Sequence, residues 1–231
     1  MTTIVTSVQA IRTRLTKACI QAGRPVDGVT LLAVSKTRSA DAVRAAHACG
    51  LSRFGENYVQ EALDKIDALA DLRDRLEWHL IGPLQSNKTR AIAAAVDWVH
   101  SIDRLKIAQR LSEQRPPHLR PLQVCLQVNI SGEASKSGLA PDEVLAVAEQ
   151  VAALPRLQLR GLMSIPEPAD TPQARRQPHR ALRELLDTLK ARPALARLDT
   201  LSMGMSDDLE EAVLEGSTLV RVGTALFGAR G

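Results

Sequence analysis

Leu31-Leu32-Ala33-Val34-Ser35-Lys36-Thr37-Arg38 is the stretch that decides how the remainder of the chain is read. Its first half is an apolar run of the length that forms a buried strand. Parallel strands covered on both faces read as continuous apolar segments of this kind. The run ends on one lysine, followed at once by polar residues. A lysine within such a strand would have to be stripped of water, whereas one at its C-terminal end can meet a ligand. An amine partly withdrawn from water suits Schiff-base formation with an aldehyde. Taken alone, Lys36 reads more simply as the solvated first residue of a loop, so the other segments have to decide.

Upstream, residues 4–22 read as an amphipathic helix. Ile4, Val8, Ile11, Leu15 and Ala18 share one face, and Gly23 and Pro25 stop it. Downstream, apolar strands alternate with helical segments. The strands are Thr30 to Ser35, Arg53 to Gly55, Trp78 to Gly82, Trp98 to Ile102, Leu122 to Ile130, Leu157 to Ile165, Thr200 to Met203 and Thr218 to Val222. Ser39, Ser86 and Ser206 are placed to cap helices, and Pro141 to begin one. A proline-rich polar loop over 166–178 reads as an exposed connection. Strand–helix alternation belongs to the doubly wound sheet or the closed barrel. Eight evenly spaced units in 231 residues favour an α/β fold of the (β/α)8 TIM-barrel type, a single domain over 1–231 with one extra N-terminal helix.

Composition narrows the function classes. Thirty basic and 26 acidic residues leave a dispersed excess of +4, with no basic run interleaved with aromatics, so nucleic-acid binding has no support. Cys19, Cys49 and Cys125 are odd in number and far apart, which argues against disulfides or a zinc site and fits a reducing compartment. The N-terminus has neither the charged nor the apolar region of a signal peptide, and no apolar stretch approaches membrane-spanning length. The expected location is the cytoplasm.

In such a barrel the site is built where strands end and helices begin. Those edges carry Lys36, Asn57, the segment Asn129-Ile130-Ser131 with Lys136 after it, Met163-Ser164, the segment Ser202-Met203-Gly204-Met205-Ser206, and Arg221-Val222-Gly223-Thr224. Loops after strands seven and eight often hold a phosphate. Gly204 and Gly223 allow close approach of backbone N–H groups, and Ser206 and Thr224 offer hydroxyls. Asp207 and Asp208 would repel an anion and are expected to point away from it. A lysine, a phosphate cradle and a barrel rim together suggest pyridoxal 5′-phosphate. Arg221 facing the ring nitrogen would keep that nitrogen unprotonated. A structural ion pair is the competing reading for Arg221.

Several segments carry a family resemblance: Ala33-Val34-Ser35-Lys36, Phe54 to Glu61, Trp78 to Lys88, Asn129-Ile130-Ser131, Ser135 to Gly138, Ser202 to Asp208, and Gly216 to Gly228. Together they resemble the pyridoxal phosphate homeostasis family over essentially the whole chain. The resemblance implies the barrel of the alanine racemase N-terminal domain. It implies cofactor attachment at Lys36, an arginine near the ring nitrogen at Arg221, and phosphate contacts around Ser206, Gly223 and Thr224. Asn57, Ser202, Met203 and Gly204 complete the expected cofactor-binding set, with Met203 against the ring.

The implied role is vitamin B6 balance without a defined catalytic reaction, by a monomer that exchanges cofactor with pyridoxal-phosphate-dependent apoenzymes. The alternative is an alanine-racemase-like enzyme. Racemization needs an acid/base group on each face of the cofactor. In the related racemases the second is a tyrosine from an additional domain, and this chain stops after strand eight. Its only tyrosine, Tyr58, reads as structural. Lys136 reads as a loop lysine before a second aldehyde acceptor, and His79 as buried and hydrogen-bonded.

Overall fold

The computed structural model describes residues 3–132 and 137–228, so Lys136 lies outside the described residues. The strands are β1 (Thr30–Val34), β2 (Arg53–Glu56), β3 (Glu77–Leu80), β4 (Trp98–Ile102), β5 (Leu122–Gln127), β6 (Leu157–Met163), β7 (Thr200–Ser202) and β8 (Leu219–Val222). They close into one parallel barrel in sequence order. Closure is made by β1 against β8, with Thr30 opposite Leu219 and Ala33 opposite Val222. The helices are α1 (Ile4–Gln21), α2 (Ala40–Ala48), α3 (Val59–Ala68), α4 (Thr89–Ala95), α5 (Leu105–Gln114), α6 (Val144–Ala152), α7 (Pro172–Lys190), α8 (Leu209–Leu214) and α9 (Thr224–Phe227).

Alternation along each strand sorts side chains to two layers. Ala33, Phe54, Val99, Val124, Val220 and Val222 join the core between barrel and helices. Leu32, Val34, Ile81 and Leu219 form a separate apolar cluster, and Trp98, Cys125 and Met163 another. Polar His79, His100, Ser202 and Arg221 share this inner layer and are buried with it. Cys19 is fully buried in α1, whereas Cys49, at the end of α2, is half-buried.

α1 lies on the expected face: Val8, Ile11, Leu15 and Ala18 are buried, and the Thr3 side chain accepts the Thr6 N–H. Ser39 caps α2 as expected. Four expectations need correction. The run over 166–178 is not one loop, because α7 begins at Pro172 behind a capping Thr171 and passes through Pro178. Proline suits the first helical position, and burial of His179, Leu182, Leu186 and Leu189 outweighs the bond forfeited at Pro178. Ser206 caps nothing, since α8 starts three residues later with Asp208 at its N-cap. Ser86 opens a short 3₁₀ turn ahead of α4, and Pro141 precedes α6 by a turn.

α7 is fixed to the end of α8 by charge. Glu215 is buried and accepts hydrogen bonds from Arg176 Nε (2.6 Å), Arg180 (3.0 Å) and Arg183 (3.1 Å). Burial pushes its carboxyl up, but the bonds from Arg180 and Arg176 outweigh that and hold it below the usual carboxylate range. The resulting stability is present above the unfolded carboxyl pKa and is lost as pH falls through the folded one. Glu215→Gln is expected to cost about 1–3 kcal/mol at neutral pH. The deficit should close as acidification titrates Glu215 through its lowered range, as read from urea midpoints of both proteins.

Candidate functional site

At the C-terminal rim a cavity of about 540 Å³ gathers residues from both ends of the chain. Lys36 enters from the end of β1 and Asn57 from the end of β2. Ser206 comes from the segment after β7, Arg221 from β8, and Gly223 and Thr224 from the turn into α9. Six of the nine expected cofactor-binding residues therefore line one space. Arg14, Thr37, Arg38, Ile165, Met205 and Asp207 line it too.

Ser202, Met203 and Gly204 are not among the residues that line it. All three are buried beneath the rim. The Met203 side chain faces the main core and not the cavity. Gly204 sits at φ +92°, and a Cβ there would lie 2.5 Å from the Ala212 Cβ. This close packing of loop on helix requires glycine. Ser202 acts through Arg221. The Arg221 guanidinium donates to the Ser202 carbonyl (2.5 Å), the Ser202 hydroxyl (2.8 Å) and the Ser164 carbonyl (2.8 Å). Burial lowers Arg221 to about 10, against the pull of Asp208, so it stays cationic at neutral pH. The Ser164 hydroxyl beside it is buried with no partner among the described residues.

Lys36 is half-buried and is held from both sides. The preceding Ser35 donates its hydroxyl to Glu56 Oε1 (2.5 Å). Lys65, itself buried, donates to the Ser35 carbonyl (2.5 Å), Glu56 Oε1 (2.8 Å) and Glu61 Oε1 (2.7 Å). The following Thr37 donates its N–H to Glu61 Oε1 (2.5 Å). Thr37 adopts φ +63°, an uncommon conformation for a β-branched residue. The network pins a strained link next to the lysine, as expected where a reactive group must be held in one place. Burial pushes Glu56 above the usual carboxylate range despite Lys65 and Ser35.

The opposite wall is built from α1 and the loop after β7. Arg14 makes a two-pronged pair with Glu210 (2.6 Å each) and donates to the Ser206 carbonyl (2.9 Å). Nothing in the amphipathic pattern of α1 distinguished Arg14 from its other solvated charges. Asp208 turns into its own loop, accepting from Met205 N–H (2.6 Å) and meeting His179 Nε2 at 2.9 Å. Burial pushes its carboxyl up, but the His179 and Met205 bonds hold it below its ordinary range. Asp207 is exposed and lines the cavity, contrary to the expectation that both acids turn away. The first bond within α9 is made by the Leu226 N–H to the Gly223 carbonyl, so earlier amides of that turn are not used by the helix itself.

Asn57 also borders a second chamber of about 290 Å³, where Gln127, Asn129 and Ser137 join the apolar Ile81, Pro83, Val128 and Ile165. Its Oδ1 is buried with no partner among the described residues. Gly82 makes the crossing possible, since a Cβ there would lie 2.1 Å from the Asn57 carbonyl oxygen. Tyr58 is exposed and is not among the cavity-lining residues. His79 is buried and bonded at both nitrogens, as expected. Among the described residues no three His, Cys, Asp or Glu side chains are grouped to hold a metal. No described helix is long and apolar enough to cross a membrane.

The profile described as alanine racemase, N-terminal domain, matches residues 7–231, and the chain belongs to that family. The pyridoxal phosphate homeostasis protein of Pseudomonas aeruginosa is 61% identical over 230 residues, covering 100% of this chain and 97% of the relative. The protein of the same name from Escherichia coli is 49% identical over 231 residues, covering 100% and 98%. The structure of PipY from Synechococcus elongatus with pyridoxal phosphate bound aligns with TM-score 0.81 at 40% identity, covering 94% of this chain and all of that one. Alanine racemase from Corynebacterium glutamicum shares the fold at TM-score 0.65 and 20% identity, over 96% of this chain and 62% of the racemase.

Removing Lys65 would leave Glu56 and Glu61 without their shared cation in a buried place. Lys65→Met is expected to lose about 3–5 kcal/mol of stability, measured by chemical unfolding. A loss below about 1 kcal/mol would show that the network does not hold the segment around Lys36.

Proposed function

We propose that this chain binds pyridoxal 5′-phosphate at the rim cavity, with Lys36 as the attachment point. In that role it serves the homeostasis of the cofactor as a carrier or buffer. The observation that carries this reading is the convergence of Lys36, Ser206, and the Arg221 and Thr224 pair on one cavity from three separate places along the chain. The cavity falls within the range of small-molecule sites, about 300–1,000 Å³. Its chemistry fits the group: an amine for the aldehyde, hydroxyls and early helix amides for a phosphate, and a fixed cation for the ring nitrogen. The buried, unpartnered Asn57 oxygen adds an acceptor at the same wall.

When bound, the cofactor supplies an electrophilic aldehyde on a conjugated ring. Lys36 presents the amine, steadied by the Ser35 and Thr37 backbone on either side. Ser206, Gly223 and Thr224 hold the phosphate end, and Arg14 orders their loop through the Ser206 carbonyl. Arg221 gives the ring nitrogen a permanent positive neighbour, which opposes its protonation and weakens the ring as an electron sink. Ser202, Met203 and Gly204 support this set from below.

A carrier role without a catalytic reaction of its own agrees with the names of the relatives and with the absence of Tyr58 from the cavity lining. In this reading the chain acts as a single domain over 1–231, as a cytoplasmic monomer that exchanges cofactor with pyridoxal-phosphate-dependent apoenzymes. Neither nucleic acid nor a membrane is a partner.

The test is the absorption spectrum of the purified protein beside Lys36→Ala, before and after borohydride, followed by peptide mapping. A visible band in the wild type, with the cofactor locked by reduction onto Lys36 and lost from that peptide in the variant, is the expected outcome. No band after addition of pyridoxal phosphate, or a reduced label on another lysine of the wild type, would overturn the assignment. Ser206→Ala with Thr224→Ala should weaken binding by roughly tenfold or more, read by titration of the same band.

A further inference from the structure

Beneath the cavity the barrel holds a row of polar groups that binding at the rim leaves unexplained. It starts at Arg221, which donates to the Ser202 hydroxyl at 2.8 Å. A guanidinium has no acceptor, so Ser202 Oγ accepts there and its own hydrogen is free to go elsewhere. His100 Nδ1 lies 2.8 Å from that oxygen. His100 Nε2 lies 2.8 Å from His79 Nδ1, and His79 Nε2 lies 2.9 Å from Glu77 Oε1. Arg53 Nε donates to the same Glu77 oxygen at 3.0 Å. Ser202, His100 and His79 are at most 1% exposed, whereas the Glu77 side chain, at the start of β3, is 39% exposed.

The two ends of this row have fixed polarity. Arg221 can only donate, and a Glu77 carboxylate can only accept. Burial lowers both histidines, and His100 is driven further down by His79 and Arg221. Each imidazole is then neutral and carries one proton. Burial pushes Glu77 up, but His79 and Arg53 hold it below its ordinary range, so it is a carboxylate at neutral pH. With Glu77 able only to accept at the far end, every bond points one way: His79 Nε2 to Glu77, His100 Nε2 to His79 Nδ1, Ser202 to His100 Nδ1, and Arg221 to Ser202. Both histidines must hold their proton on Nε2. The row joins β8, β7, β4 and β3 and runs from the cavity floor to the opposite end of the barrel.

We propose that His100 and His79 are positioning residues for Arg221, that they hold its guanidinium through the Ser202 hydroxyl in one donor arrangement, and that Glu77 at the far end of the barrel sets the direction of the whole row. The consequence for cofactor binding rests on the pyridoxal phosphate reading. The row itself does not. A cluster with only a packing role would need each polar atom satisfied, with no requirement that a partly exposed acid dictate the tautomer of a histidine two groups away.

Glu77→Gln separates these cases, because an amide can either accept from His79 or donate to it and so permits both directions. The first readout is the histidine tautomer in the cofactor-free protein, from imidazole ¹⁵N shifts. The wild type should show Nε2–H on both His79 and His100. Glu77→Gln should show a mixture at both, and Glu77→Asp should restore the single tautomer. The second readout is pyridoxal phosphate affinity, expected to fall about three- to tenfold in Glu77→Gln although that residue is remote from the cavity. An Nδ1-protonated His100 in the wild type, or unchanged tautomers in Glu77→Gln, would overturn the proposal. Ser202→Ala provides a second cut: His79 stays bonded to Glu77 and still accepts the His100 Nε2 proton, so the His100 tautomer should be unchanged, and a His100 that shifts to Nδ1–H or to a mixture in that variant would also overturn the proposal. If the protein failed to bind pyridoxal phosphate at all, these spectra of the free protein would still decide the proposal.

Discussion

The constraint on which the site depends is a positive charge inside a parallel barrel. An isolated ion there would cost several kcal/mol even after relaxation. Arg221 avoids isolation because the barrel turns two carbonyls, those of Ser164 and Ser202, and one hydroxyl towards it. Those acceptors stand at or just beyond the ends of β6 and β7, so the guanidinium also ties three strand ends together below the cavity. Burial lowers its pKa to about 10, which leaves it charged at neutral pH. A cation that cannot leave or lose its proton is a dependable feature for a ligand's ring to meet.

The second charged network lies on the other side of the cavity and is built differently. Glu56, Glu61 and Lys65 bring two acids to one cation, next to the strained Thr37. Their bonds end on the backbone on both sides of Lys36, not on its amine. The lysine is therefore fixed by its main chain and free at its tip. Arg221 is the reverse case, a side chain held at its tip by the backbone of others. One cation at the cavity can thus move along its stem while the other stays still.

The eight strands were legible because parallel strands buried on both faces leave short continuous apolar runs, and the barrel followed from their even spacing. Lys36, Asn57, Ser206, Arg221, Gly223 and Thr224 were legible as rim residues because each sits where such a run ends. Depth below the rim was harder to read. Whether a residue one or two places from a strand end meets the cavity or lies below it depends on strand stagger, which closure of the ring decides. Ser202, Met203 and Gly204 lie on the buried side of that line. Arg14 was invisible for another reason: its contact with Ser206 spans almost the whole chain. Lys65 carried no signal in the sequence, because its partner Glu56 reaches it only once β2 is in place. The start of α7 was hidden because prolines that read as loop residues stand at positions a helix tolerates.

The distribution of sulfur has a practical consequence. Cys125 is sealed between Trp98 and Met163, where burial pushes its thiol up to about 12, and Cys19 is buried in α1 and also raised by burial. Neither offers a thiolate to a reagent. Cys49 is half-buried at the end of α2, next to the turn that feeds β2 from the barrel's N-terminal side. A maleimide dye would therefore react there first, on the end of the molecule opposite Lys36. The native chain carries its own attachment point for a fluorophore or a surface, placed where a tether leaves the mouth of the cavity open.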